Sequence, residues 1–135
     1  MSKAFYKYDV RLKRENFPKD LAEGKEYERL WVEQATGDHE VKCDKLTYKT
    51  GNVFIEVSDA GKPSGIMKTE AKNYAIGLAH PKRTFTLWIL IPTRLLKHIM
   101  VDYKQVSGGD NMEARGYLVP VERLLNFHLL HDKDE

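Results

Sequence analysis

Four residues carry the chemistry this chain could do. They are Glu40, Lys42 and Asp44 in the run Gly37-Asp-His-Glu-Val-Lys-Cys-Asp44, and Glu56 in Thr50-Gly-Asn-Val-Phe-Ile-Glu56-Val. Both runs read as strands, in which successive side chains point to opposite faces. Glu40, Lys42 and Asp44 then share one face, and Val41 and Cys43 take a reverse face that reads as core. In the second run Val53, Ile55 and Val57 lie on one face, with Asn52, Phe54, Glu56 and Ser58 on the other. Pairing the two strands across a tight turn at Tyr48 to Gly51 sets Glu56 near Asp44 and Lys42. Two or three carboxylates beside a lysine make a site for a hard divalent cation, Mg²⁺ or Mn²⁺, which takes oxygen ligands.

Blander explanations compete with this one. Glu40, Lys42 and Asp44 could be the solvated face of a strand, with ion pairs worth under about 1 kcal/mol. Glu56 resists that reading, because it sits among Val53, Phe54, Ile55 and Val57, where an unpaired charge is costly. Ser64, Gly65 and Thr69 read either as phosphate contacts or as a turn and a helix cap. Cys43 reads as core filler, and Trp31 and Trp88 as core aromatics within apolar patterns. His128 and His131 have no second pair to complete a zinc spacing.

The elements that must position these residues follow from periodicity. Residues 5 to 12 alternate and predict a strand or extended arm. Pro18 opens a helix carrying Leu21, Tyr27, Leu30, Trp31 and Gln34, which ends by Gly37. After the two central strands, Ser58 to Ser64 reads as a loop and Thr69 to Asn73 as one or two helical turns. Tyr74 to Leu78 and Thr84 to Ile91 read as a hairpin of strands. Thr93 is expected to cap an amphipathic helix with Leu95, Leu96, Ile99 and Met100. Gln105 to Arg115 reads as an exposed loop, Tyr117 to Val119 as a short strand, and Pro120 as the start of a last helix with a polar tail. This order predicts an α/β (α+β) chain, a mixed central sheet flanked by helices.

Length and composition set outer bounds. The 135 residues suit a single domain, 1–135, with an ordinary core. The longest apolar run is far shorter than the roughly 20 residues a spanning helix needs, and the first residues carry charges where a signal peptide is apolar. A single cysteine excludes an internal disulfide, so the expectation is a soluble, cytoplasmic protein. Net charge is only +2, from 22 basic and 20 acidic residues, so overall charge announces no polyanion partner. Lys45, Lys49, Lys62, Lys68, Lys72 and Lys82 nonetheless recur around the acidic stretch, where they could neutralise phosphates.

The order of elements, with its charged strands, resembles the PD-(D/E)XK nuclease superfamily. The segments Glu40-Val-Lys42-Cys-Asp44, Thr50-Gly51-Asn52-Val-Phe-Ile-Glu56, Gly61-Lys-Pro-Ser64-Gly65-Ile and Gly116-Tyr-Leu-Val-Pro-Val-Glu-Arg-Leu look similar to small nuclease-like proteins encoded by bacteriophages. The resemblance implies a restriction-endonuclease-like αβββαβ core and Mg²⁺- or Mn²⁺-dependent hydrolysis of DNA phosphodiesters. A branched or junction substrate, cut by a homodimer, would be an analogy with other superfamily members. It assigns Asp44 and Glu56 as metal-binding acids, Glu40 as a supporting ligand and Glu28 as the helical glutamate. Ser64, Gly65, Lys68 and Thr69 become candidate substrate contacts. One departure matters: Val57 and Ser58 follow Glu56, so the lysine of the Glu-x-Lys motif is missing, and Lys42 must substitute from the neighbouring strand. The alternative that this departure supports is a non-catalytic DNA-binding or inhibitor protein on the same scaffold. An RNA substrate also stays open, since no base-reading motif is visible.

Overall fold

In the computed structural model, which describes residues 17–82 and 84–126, the strand carrying Glu40, Lys42 and Asp44 does not pair with the strand carrying Glu56. Strand β1 (His39–Asp44) pairs in parallel with β4 (Asn73–Ala79), which pairs antiparallel with β5 (Thr86–Pro92). A second sheet has the order β3 (Lys62–Pro63), β2 (Asn52–Asp59), β7 (Ala114–Pro120), β6 (Gln105–Gly108). The expected single mixed sheet is therefore corrected to two sheets in an α+β chain. What separates β1 from β2 is a short helix, α2 (Thr47–Thr50), in place of the expected hairpin turn. It stops at Gly51, which takes the left-handed conformation at φ 74° that glycine adopts without strain.

Both sheets contribute to one core. Val53, Ile55, Val57 and Val119 come from the second sheet, and Tyr74, Ile76 and Ile91 from the first. Leu96, Ile99 and Met100 of helix α3 (Thr93–Met100) and Leu124 of α4 (Val121–Leu125) complete it with Ile66. The period-2 pattern of β2 is thus read correctly, with Val53, Ile55 and Val57 buried. Helix α3 also forms where expected, although Thr93 does not cap it: the Thr93 hydroxyl donates to the Ala71 carbonyl at 2.8 Å.

Other expectations are revised. Gln105 to Arg115 is mostly strand, its tight turn formed around Gly109 and Met112, both at positive φ. The 3₁₀ turn falls at Gly65–Met67 rather than at Thr69 to Asn73. On β1 the burial is the reverse of that expected: Val41 and Cys43 are exposed, whereas Glu40 and Asp44 are half-buried. The reason lies in the register, since Glu40, Lys42 and Asp44 stand beside Tyr74, Ile76 and Leu78 on the inward face of β4. Trp88, across from Gly77, lies on the outward face and is exposed.

The chain divides into two compact units, residues 1–37 and 38–135. The described part of the first is helix α1 (Phe17–Thr36), which forms as predicted and carries Arg29 between Glu26 and Glu33. Its Leu21, Tyr27, Leu30, Trp31 and Val32 are exposed, so Trp31 is not the core aromatic expected of it. The predicted strand at residues 5 to 12, the polar tail, and His128 and His131 lie outside the described residues. Among the described residues no helix is long and apolar enough to cross a membrane.

Candidate metal and phosphate site

Although β1 and β2 belong to different sheets, Asp44 of the one and Glu56 of the other line one cavity. It has a volume of about 460 Å³, and its walls include Lys42, Asp44, Phe54, Glu56 and Tyr74. Lys45 and Leu46, both exposed, also contribute to the lining. The cavity follows the seam where the β1 edge of one sheet faces the part of β2 that β3 does not cover.

Asp44 closes that seam. Its Oδ1 accepts the backbone N–H of Leu46 at 2.9 Å and of Thr47 at 3.0 Å, and its Oδ2 accepts the N–H of Phe54 at 3.1 Å. The first two bonds hold the start of α2, satisfying donors that a helix N-terminus leaves open. The third joins β1 to the edge of β2. A carboxylate has about four lone-pair directions, so three bonds leave Asp44 room for one more ligand. This bracing role was not foreseen in the sequence, although an Asp two or three residues before a short helical turn signals it.

Glu56 and Glu40 are held by hydroxyls. Ser64 donates to Glu56 Oε2 at 2.8 Å, and Thr69 donates to Glu40 Oε2 at 3.1 Å. Ser64 and Thr69, expected at substrate phosphates, thus orient the two glutamates. Lys42 Nζ stands 3.1 Å from Glu40 Oε1, a pair on the same strand face. Gly65 has φ 53°, and a Cβ there would overlap the Glu56 carbonyl oxygen. It is the close approach of this turn that demands glycine, more than any contact with a ligand. Immediately after Glu56, the register of β2 against β7 shifts between Glu56 and Ser58, an irregularity of the kind that re-aims side chains beside sites.

Tyr74 lines the same cavity as Asp44 and Glu56. It is 1% exposed, and burial together with the charges of Glu40 and Glu56 pushes its phenol well above the usual tyrosine range. Sequence reading had assigned it only to a strand. Lys68 is exposed. Glu28 is an exposed residue of α1, within the other compact unit. Cys43 also lines the cavity and is exposed, contrary to its expected place in the core.

The donor set suits a hard cation that needs few protein ligands. Among the described residues no group of three or more of His, Cys, Asp and Glu is placed to hold a metal ion, so a full protein cage is absent there. Mg²⁺ does not require one, because one or two carboxylates with substrate oxygens and water complete its octahedron. No protein-family model, curated protein or solved structure matched the chain.

Proposed function

We propose that this protein is a divalent-metal-dependent nuclease that hydrolyses phosphodiester bonds of DNA in the cavity between β1 and β2. The observation that carries the proposal is the convergence of Lys42, Asp44 and Glu56 on one cavity from two separate sheets. A strand face that was merely solvated would have no reason to meet an acid of another sheet across a cavity. The resemblance of the four sequence segments to PD-(D/E)XK nucleases supports the same reading.

Asp44 and Glu56 would hold the cation, Mg²⁺ or Mn²⁺, with Glu40 in support. When bound, the cation supplies Lewis-acid polarisation of the phosphate and charge neutralisation. The chain's own groups do the rest. Ser64 fixes one Glu56 oxygen and leaves the other available, and the three backbone donors fix the direction of Asp44. Lys42, steadied by Glu40, orients the attacking water and offsets negative charge that grows on the phosphate. Lys45 at the cavity and the exposed Lys49 of α2 add positive charge for the neighbouring backbone phosphates.

A second reading has its own observation. Both oxygens of Asp44 are already occupied by backbone N–H groups, and the lysine usually following the second acid is absent. A DNA-binding protein without catalysis would also show those features. Incubating the full chain with linear, nicked, single-stranded and four-way DNA during a Mg²⁺ or Mn²⁺ titration separates the two. Metal-dependent products, abolished by Glu56→Gln, establish the nuclease. Binding without products establishes the alternative.

A further inference from the structure

Among the polar groups that line the cavity, the Tyr74 hydroxyl has no hydrogen bond to the described part of the protein. Asp44 takes three N–H donors, Glu56 takes the Ser64 hydroxyl, and Lys42 pairs with Glu40, which stands outside the lining. Tyr74 lines the same cavity at 1% exposure, and among the described residues its O–H finds no hydrogen-bond acceptor. The hydroxyl is not one of the fully buried polar atoms left without a partner among the described residues, so it reaches the cavity, where an incoming acceptor can meet it. Its ring is fixed by the core around Ile76, Ile91 and Ile55, and its register partner on β1 is Glu40. The ring can therefore move little, and the acceptor must come to it.

We propose that the Tyr74 hydroxyl is a substrate-binding group, donating its hydrogen to a non-bridging oxygen of the phosphodiester that lies between Lys42, Asp44 and Glu56. This inference rests on the phosphodiester reading above. An anionic oxygen accepting a neutral phenol O–H in a low-dielectric pocket makes a strong, charge-assisted bond. The donor also discriminates. A neutral methylphosphonate linkage at the same position would accept the bond poorly, whereas a lysine-only site would register mainly the lost charge.

The test compares the wild-type chain with Tyr74→Phe, using Ca²⁺ in place of Mg²⁺ and a short single-stranded oligonucleotide, and measuring Kd and Tm. The expected result is binding weakened about tenfold, the low end for a hydrogen bond to a charged oxygen, with Tm equal to or above wild type. Cleavage in Mg²⁺ should fall with it. A methylphosphonate oligonucleotide should bind the two proteins equally. Unchanged Kd for the ordinary oligonucleotide in Tyr74→Phe overturns the inference and leaves the nuclease standing. A lower Tm with unchanged Kd also overturns it, since that pattern marks a hydroxyl bracing the glutamates. A wild-type chain that neither binds nor cleaves any oligonucleotide overturns the phosphodiester reading itself, and this inference falls with it.

Discussion

Replacing Asp44 by alanine should unfold the seam as well as silence the site. The substitution removes the acceptor of three backbone N–H groups, at 2.9, 3.0 and 3.1 Å. Hydrogen bonds to a charged acceptor contribute about 1.5–3 kcal/mol each. The Leu46 donor sits at an exposed position where water replaces the carboxylate, so it counts for little. The Thr47 and Phe54 bonds are partly buried and together give a loss of about 3–5 kcal/mol. That is a large fraction of the 5–15 kcal/mol typical of a domain, and corresponds to a fall in Tm of about 10–20 °C. Asp44→Asn keeps an oxygen for Leu46 and Thr47 but turns an amide toward the Phe54 N–H, for a loss of about 2–3 kcal/mol. Glu56→Ala, which loses only the Ser64 bond, should cost about 1 kcal/mol. Urea denaturation followed by circular dichroism gives all three values. An Asp44→Ala protein within about 0.5 kcal/mol of wild type refutes the reasoning that Asp44 joins the sheets. For catalysis the cleaner variants are Glu56→Gln and Asp44→Asn, assayed well below their melting points.

Lys42→Ala should lower the cleavage rate about 10²–10³-fold with little effect on Tm, and Lys42→Arg should restore only part of it, read from single-turnover rates. Gly65→Ala should destabilise the protein by at least about 1–3 kcal/mol, because the residue must keep φ 53° and its methyl group meets the Glu56 carbonyl; an unchanged denaturation midpoint would disprove the close approach. The raised Tyr74 pKa predicts a pH effect with a definite sign. The folded state holds that proton more tightly than the unfolded chain, so the stabilisation is full below about pH 10 and is lost as pH rises beyond it. The difference in Tm between wild type and Tyr74→Phe should therefore change above pH 10 and be flat below it. Chelation by EDTA should stop cleavage without lowering Tm appreciably, since the site residues are held by protein donors.

Periodicity made the elements legible. Alternation placed Val53, Ile55 and Val57 inside, and the apolar spacing of Leu96, Ile99 and Met100 gave α3 its buried face. Pairing was not legible, because the partner of a strand depends on where α2 sends the chain and on contacts far away in sequence, such as β2 with β7. The same limit inverted the faces of β1. Val41 and Cys43 look like core in isolation, but β1 is an edge strand whose charged face turns toward the cavity, a placement that also guards an edge against pairing. The candidate residues were picked out by type and spacing. The donors that orient it, Ser64, Thr69 and the N–H groups around Asp44, depend on distances between elements that no local pattern contains.

The cavity has one wall on each of two separately hydrogen-bonded sheets. Within a ladder, backbone bonds lock neighbouring strands at a set separation. Between these sheets, the gap is filled by the bulk of Ile55, Ile76 and their neighbours, with the Asp44–Phe54 hydrogen bond across it. Trimming one methyl group from that filling, as in Ile55→Val, would bring the two walls nearer without touching a polar residue. The width of the cavity is in this way written into hydrocarbon, and it becomes a property that evolution could retune from the core.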